Sequence, residues 1–253
     1  MAPGLSANAS ASSAGSSRPA APTTLVIEIG GSVLKAMLLD SAGRPASERL
    51  RVVTPAVPTP EALLSELDGL RRLLTNFDRA SVGFPGVVKC GATFGAVHLH
   101  PLWAKGFPLQ EELEKRWKKP VRVSNDTELA GYDVMRGRGV ELVLTLGDSL
   151  GSALFTDGHL CPGLNLGRHP WHKRSMSYED CLGHQGLDRF GQARWNEFLA
   201  AAIQQTAALF NWDRLYLGGG NASKIVFTPG RTVSILPSET GLLGGVMLWR
   251  DQG

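Results

Sequence analysis

Two glycine turns and one Asn-Asp pair carry the side chains of this sequence best suited to chemistry. The first turn, Glu28-Ile29-Gly30-Gly31-Ser32 followed by Lys35, ends the β-rich run Leu25 to Ile29. Bare backbone amides and a hydroxyl gathered there can hold phosphate oxygens, and the acid two residues earlier can position a metal ion or a water. A plain hairpin turn accounts for the same residues when the stretch is taken alone. The second turn, Gly147-Asp148-Ser149-Leu150-Gly151-Ser152, ends the apolar run Leu142 to Leu146 and repeats the device. Neither turn has Walker or dinucleotide-binding spacing. Asn125-Asp126 follows Val121-Arg122-Val123 and opens a helical stretch. A carboxylate there can accept the proton of an attacking hydroxyl during phosphoryl transfer. It can also cap the helix, and from spacing alone the cap is the plainer reading.

The elements that must position these groups alternate in type. Strands are expected at Leu25–Ile29, Lys35–Asp40, Arg51–Val53, Ala80–Phe84 and Val121–Val123, with helices at Pro60–Leu74, Leu109–Trp117 and Thr127–Met135. Leu63, Leu64, Leu67, Leu70 and Leu74 fall on one face of the first of these helices. The second half repeats the theme. Strands are expected at Leu142–Leu146, Ala153–Thr156 and Arg214–Leu217, a long helix over Ala193–Phe210, and a closing helix over Gly241–Trp249. Each half opens with strand, glycine turn and strand, which predicts a duplicated, two-lobed α/β fold. The division expected is a tail at 1–24, an N-terminal lobe at 25–126 and a C-terminal lobe at 127–253.

Composition narrows the class. Of 253 residues, 43% are hydrophobic and 19% charged, an ordinary balance that excludes wholesale disorder. A formal charge of +3 gives no reason to expect a nucleic-acid partner. No apolar stretch is long enough to span a bilayer, so no membrane partner is expected. Three cysteines, Cys90, Cys161 and Cys181, are too few for a disulfide framework and suit a reducing, cytoplasmic setting. The Ala/Ser/Pro-rich residues 1–24 lack the charged start and apolar centre of a secretory signal.

Taken in order, the motifs resemble the ROK family of sugar kinases, and within it the polyphosphate/ATP glucokinase branch. Glu28-Ile29-Gly30-Gly31-Ser32-x-x-Lys35 resembles the family's Asp-x-Gly-Gly-Thr-x-x-Lys opening. Phe84-Pro85-Gly86-Val87-Val88 resembles its Pro-Gly strand end, and Asn125-Asp126-x-x-x-Ala130-Gly131 its catalytic segment. Leu144 to Phe155 is similar to the second phosphate turn of polyphosphate glucokinases, and Leu217-Gly218-Gly219-Gly220 to the family's adenosine-side turn. The resemblance implies an actin/hexokinase-like (ribonuclease H-like) fold with an interlobe cleft. It implies Asp126 as general base for a hexose hydroxyl, most naturally the 6-hydroxyl of glucose, with Asn125, His98, Asn165, His169 and Glu179 on the sugar. Glu28, Gly30, Gly31, Ser32, Lys35, Gly147, Ser149, Gly151, Ser152, Gly218, Gly219 and Gly220 would serve the phosphates of polyphosphate or ATP, with Mg²⁺ as cofactor. A homodimer is expected on the same ground.

The sequence departs from that pattern in the sugar loop. The family's Glu-x-Gly-His stands here as Asn165-Leu166-Gly167-Arg168, which loses an acid and gains a permanent cation. His169 is the neighbouring candidate for the missing histidine. Asp148 replaces a threonine in the second turn, and a carboxylate beside a phosphate repels it unless a cation bridges them. His169, His172, Cys181 and His184 have spacings that a tetrahedral zinc site could use, with ordinary loop residues as the alternative. Lys173 and Arg174 could assist a polyanionic donor or be plain solvated charge. Retained fold with altered sugar loop also fits a second reading, a sugar-sensing protein without catalysis.

Overall fold

The computed structural model describes residues 21–96, 98–171, 176–237 and 241–250. Its frame is one five-stranded pattern made twice. In the first half, β1 (Thr24–Ile29), β2 (Val33–Leu39) and β3 (Leu50–Val53) form an antiparallel meander. Helix α1 (Pro60–Leu73) then returns the chain to β4 (Arg79–Phe84), which lies parallel to β1. A small hairpin, β5 (Val87–Lys89) with β6 (Ala92–Phe94), and helix α2 (Leu109–Trp117) lead to β7 (Val121–Asn125), parallel to β4. The strand order is β3-β2-β1-β4-β7.

Helix α3 (Asp126–Val134) carries the chain into the second half. There β8 (Val140–Leu146), β9 (Leu150–Thr156) and β10 (His159–Cys161) repeat the meander. Helices α4 (Tyr178–Leu182) and α5 (His184–Phe210) precede β11 (Arg214–Gly218) and β12 (Val233–Ile235), both parallel additions. The order β10-β9-β8-β11-β12 matches that of the first sheet strand for strand. The duplicated α/β fold read from the glycine turns is the fold observed.

Alternation along the strands decides where the cores sit. Leu25, Ile27 and Ile29 point to the face covered by Leu63, Leu67 and Leu70 of α1 and by Leu113 and Trp117 of α2. In the second sheet Leu142, Leu144 and Leu146 meet Trp195, Leu199 and Ala202 of α5. The opposite faces look toward each other. Val143 and Phe155 meet Tyr132 of α3, while Val26, Met37 and Leu39 meet Leu242 and Val246 near the C-terminus.

Two expectations need correction. The closing helix is a run of 3₁₀ turns, Leu243–Trp249, because its glycines let it lie flat against neighbours. A Cβ on Gly245 would come within 2.5 Å of the Val26 side chain. That run belongs by sequence to the second half yet seats on the first sheet. Trp249 Nε1 donates to Ser81 Oγ at 2.8 Å, and Ser81 Oγ donates to the Gly245 carbonyl at 2.7 Å. The expected long helix over Ala193–Phe210 is present, and a short helical segment from His184 runs into it across the non-helical Gly191 (φ 74°). Helix α3 begins at Asp126 itself, since Asn125 takes the capping role.

Candidate active site

The junction of β7 and α3 shows how two adjacent polar residues divide two tasks. Asn125 is the N-cap, its side chain accepting from Thr127 N–H at 2.9 Å. The Glu128 carboxylate accepts from Asn125 N–H at 3.0 Å and from the Ser124 hydroxyl, completing a capping box. The Asn125 amide donates to the Gly86 carbonyl at 3.0 Å, which ties the helix start to the Pro85-Gly86 strand end. Asp126 is thereby relieved of the cap. Its Oδ1 accepts from Thr127 N–H at 2.8 Å, and Oδ2 has no hydrogen-bond partner among the described residues.

The Asp126 carboxyl is half-buried and faces open space on two sides. Burial, and then the nearby Glu28 charge, push its pKa up to about 7, against the opposing pull of the Thr127 hydrogen bonds. A carboxyl poised there can hold or release a proton near neutral pH, which is what a general base requires. His98 stands on the same cleft. Its burial lowers the imidazole below its usual range, opposed by the charges of Glu179 and Asp148, so the ring is neutral at neutral pH.

Two cavities meet at this carboxylate, and Pro85, His98, Asp126 and Ser149 line both. The larger, of about 310 Å³, is walled by Asn125, Glu128, Asn165, Arg168 and Glu179, with Gly86, Phe94 and Gly151 among its apolar and backbone surfaces. It is a polar chamber of a size that suits a small polyhydroxylated molecule. Arg168 and Glu179 form an ion pair across it at 3.6 Å. The smaller cavity, about 170 Å³, lies between the two glycine turns. Glu28, Gly30, Gly31 and Lys35 come from the first lobe, and Thr145, Gly147, Asp148, Gly219 and Gly220 from the second. Lys35 Nζ is bound to Glu28 at 3.0 and 3.2 Å.

The remaining expected residues are placed otherwise. Gly30 N–H closes its own turn onto the Val33 carbonyl, and Gly147 N–H onto Ser149 O, so neither amide is aimed at a ligand. Ser32 and Gly218 do not line the smaller cavity. Ser152 lines the larger one, but its hydroxyl donates to Leu164 O and accepts from Leu166 N–H, which fixes the loop carrying Asn165 and Arg168. His169 turns away from both cavities, its Nδ1 2.9 Å from Pro170 O and its ring against Tyr178. Of the proposed zinc ligands, His172 lies outside the described residues, as do Lys173 and Arg174. Cys181 is buried in the second core and His184 pairs with Asp188 at 3.4 Å. No group of three or more His, Cys, Asp or Glu side chains is arranged to hold a metal among the described residues.

Sequence reasoning passed over Glu128 and the Thr127–Thr145 hydroxyl pair, 2.6 Å apart, which joins α3 to β8 beside the smaller cavity. The Asn-x-x-Glu spacing from Asn125 to Glu128 was the available signal for the first. Nothing local signals the second.

Comparison with known proteins fits this geometry. Residues 24–171 match the model of the ROK family. An N-acetylmannosamine kinase of Escherichia coli (strain SMS-3-5 / SECEC) is 32% identical over 228 residues, covering 86% of this chain and 78% of that protein. The chain belongs to the ROK family. Among solved structures, the inorganic polyphosphate/ATP-glucomannokinase from Arthrobacter sp. strain KM aligns with a TM-score of 0.81 at 25% identity, over 92% of this chain and 100% of that one. A ROK family glucokinase from Streptomyces griseus, in complex with glucose and AMPPNP, aligns with a TM-score of 0.75 at 18% identity, over 91% and 100%. The class this ROK chain carries is that of a sugar kinase with the actin/hexokinase-like fold.

A ROK kinase implies a divalent cation with the phosphate donor, and the smaller cavity fits one. Glu28, Asp126 and Asp148 line it, while Lys35, the only lysine among the described residues lining it, is already paired. Mg²⁺ keeps several waters and takes one or two carboxylates plus donor phosphates rather than a full protein cage. A cavity rich in carboxylates yet without a preformed ligand cluster matches that habit.

Proposed function

We propose that this protein transfers a phosphoryl group from a tripolyphosphate-bearing donor, polyphosphate or ATP, to a hexose hydroxyl, with the 6-hydroxyl of glucose as the first acceptor to test. Asp126 is the general base. The observation that carries this reading is that one half-buried carboxylate, with an unbonded oxygen, stands in the wall of both cavities.

In this mechanism the hexose occupies the larger cavity, held by Glu179, Asn165 and His98, with Asn125 fixing the wall rather than the sugar. Asp126 takes the hydroxyl proton as the oxygen attacks the terminal phosphorus in the smaller cavity, and the shortened donor leaves as the other product. The glycine-rich walls bound the donor, with Lys35 held by Glu28 beside them. Mg²⁺, when bound beside Glu28, would neutralise donor charge. Catalysis of this kind is positioning and charge neutralisation more than covalent chemistry.

The test is an activity matrix of ATP and polyphosphate against glucose, mannose and N-acetylmannosamine. Turnover with at least one pair is expected, falling about 1,000-fold or more in Asp126→Asn while sugar binding persists. Turnover that survives Asp126→Asn at full rate removes Asp126 from the role. The Arg168–Glu179 ion pair inside the larger cavity favours a second reading, a sugar sensor. Stabilisation by sugars, with no response to either donor and no turnover, would establish that one instead.

A further inference from the structure

Among the described residues that line the smaller cavity, Asp148 is the one acid engaged by neither Lys35 nor the helix start. Glu28 is bound by Lys35, and Asp126 accepts from Thr127 N–H. Asp148 sits exposed at the tip of the second turn and reaches across the cleft to the first. A Cβ built on Gly31 would come within 2.6 Å of its Oδ2, so the carboxylate is pressed against the backbone of Gly31. A donor phosphate entering between the two turns therefore meets a negative oxygen already in place.

Resting on the kinase reading above, we infer that Asp148 makes occupation of the donor site conditional on a divalent cation. An anion entering this cavity alone faces the Asp148 and Glu28 carboxylates, and Lys35, the only lysine among the described residues that line it, is committed. Like charges brought together in the cleft repel. A cation between Asp148 and the phosphate turns that repulsion into two attractions. The same side chain thus excludes free anions and admits the metal-loaded donor. An uncharged residue at this position would leave the cavity open to phosphate chains without metal.

The experiment is calorimetric titration of inorganic tripolyphosphate, and separately ATP, into the full chain with Mg²⁺ or with a chelator. For the native protein, binding is expected to be at least about tenfold weaker in chelator, and in Asp148→Asn the ratio should shrink to about threefold or less. Asp148→Ser should follow Asn, and because the side chain is exposed, thermal melting confirms that both variants fold. A Mg²⁺ dependence equal in all three proteins overturns the role of Asp148 while leaving the kinase reading intact. Binding of neither compound under any condition overturns the donor site itself, and with it this inference.

Discussion

The two sheets share one topology and each delivers a glycine turn to the same cleft, yet the turns are chemically unlike. The turn after β1 has its acid and its base locked together, Glu28 on Lys35, so it presents a nearly neutral surface. The turn after β8 presents an acid alone, Asp148, beside the Thr145 hydroxyl. The glycines around the cleft also differ in their backbone surroundings. Gly31 has only the end of a side chain close to it, whereas Gly219, in the loop after β11, has φ 88° and would place a Cβ 2.4 Å from the Leu146 carbonyl oxygen. Duplication has therefore preserved the path of the chain and not the chemistry at its turns.

The largest expected effect breaks the backbone half of this comparison. Gly219→Ala should destabilise the protein by roughly 2–3 kcal/mol, since it combines a left-handed φ with a backbone clash that cannot relax. That corresponds to a fall in melting temperature of roughly 5–10 °C. Gly31→Ala should melt within about 2 °C of the native protein, because the Asp148 side chain can swing aside. Equal losses for both would show that the two positions are under the same constraint.

Next in size is a pH effect that sharpens the chemical half. Because Asp126 must be ionised to accept a proton, kcat/KM should rise with pH through about 7. The charge of Glu28 helps to raise that pKa, so Glu28→Gln should move the acidic limb down by about 0.5–1 unit. Glu28 is the first-named charge that raises Asp126, so Asp148→Asn should move the limb less than Glu28→Gln does. The pH profile thus separates the two acids even where both lower the rate.

The smallest effect concerns stability. A carboxyl raised from 3.8 to about 7 favours its neutral form in the folded state. The penalty for ionising it is absent below about pH 4, grows between that pH and 7, and is constant above. The whole shift would correspond to roughly 4 kcal/mol, but a half-buried group is partly screened, and about 1 kcal/mol is the expected share. Asp126→Asn should accordingly melt about 2–4 °C above the native protein at pH 8, with the gain gone at pH 4.

Much of the fold was legible because each glycine turn follows a short β-branched or leucine-rich run, and α1 and α2 carry unbroken apolar faces. The short helical segment before Gly191 was not, since Gly186, Gly191 and the polar residues between them give little helical signal. Nor could the chain near Gly245 declare its seat on β1, a contact nearly the length of the molecule away. At the site, the sequence left Asp126 between base and cap. What the structure adds is the amide of Asn125, which engages both Thr127 N–H and the Gly86 carbonyl, so that Asp126 shares Thr127 N–H through one oxygen and keeps the other without a hydrogen-bond partner among the described residues. His169 looked like the natural replacement for a missing histidine, but backbone geometry after Arg168 turns it outward, toward Tyr178. Adjacent positions in a loop seldom face the same way, and spacing alone carries no record of which one looks inward.

The strap at Leu243–Trp249 sets how the halves can move. The chain leaves the first sheet at Asn125–Asp126 and is back upon it by Leu242, so the two halves hang on a pair of pivots, as a lid hangs on two pins. Motion between them then reduces to a swing about the line joining those pins. Asp126 stands on one of them, so it should shift least as the glycine turns part and close around it.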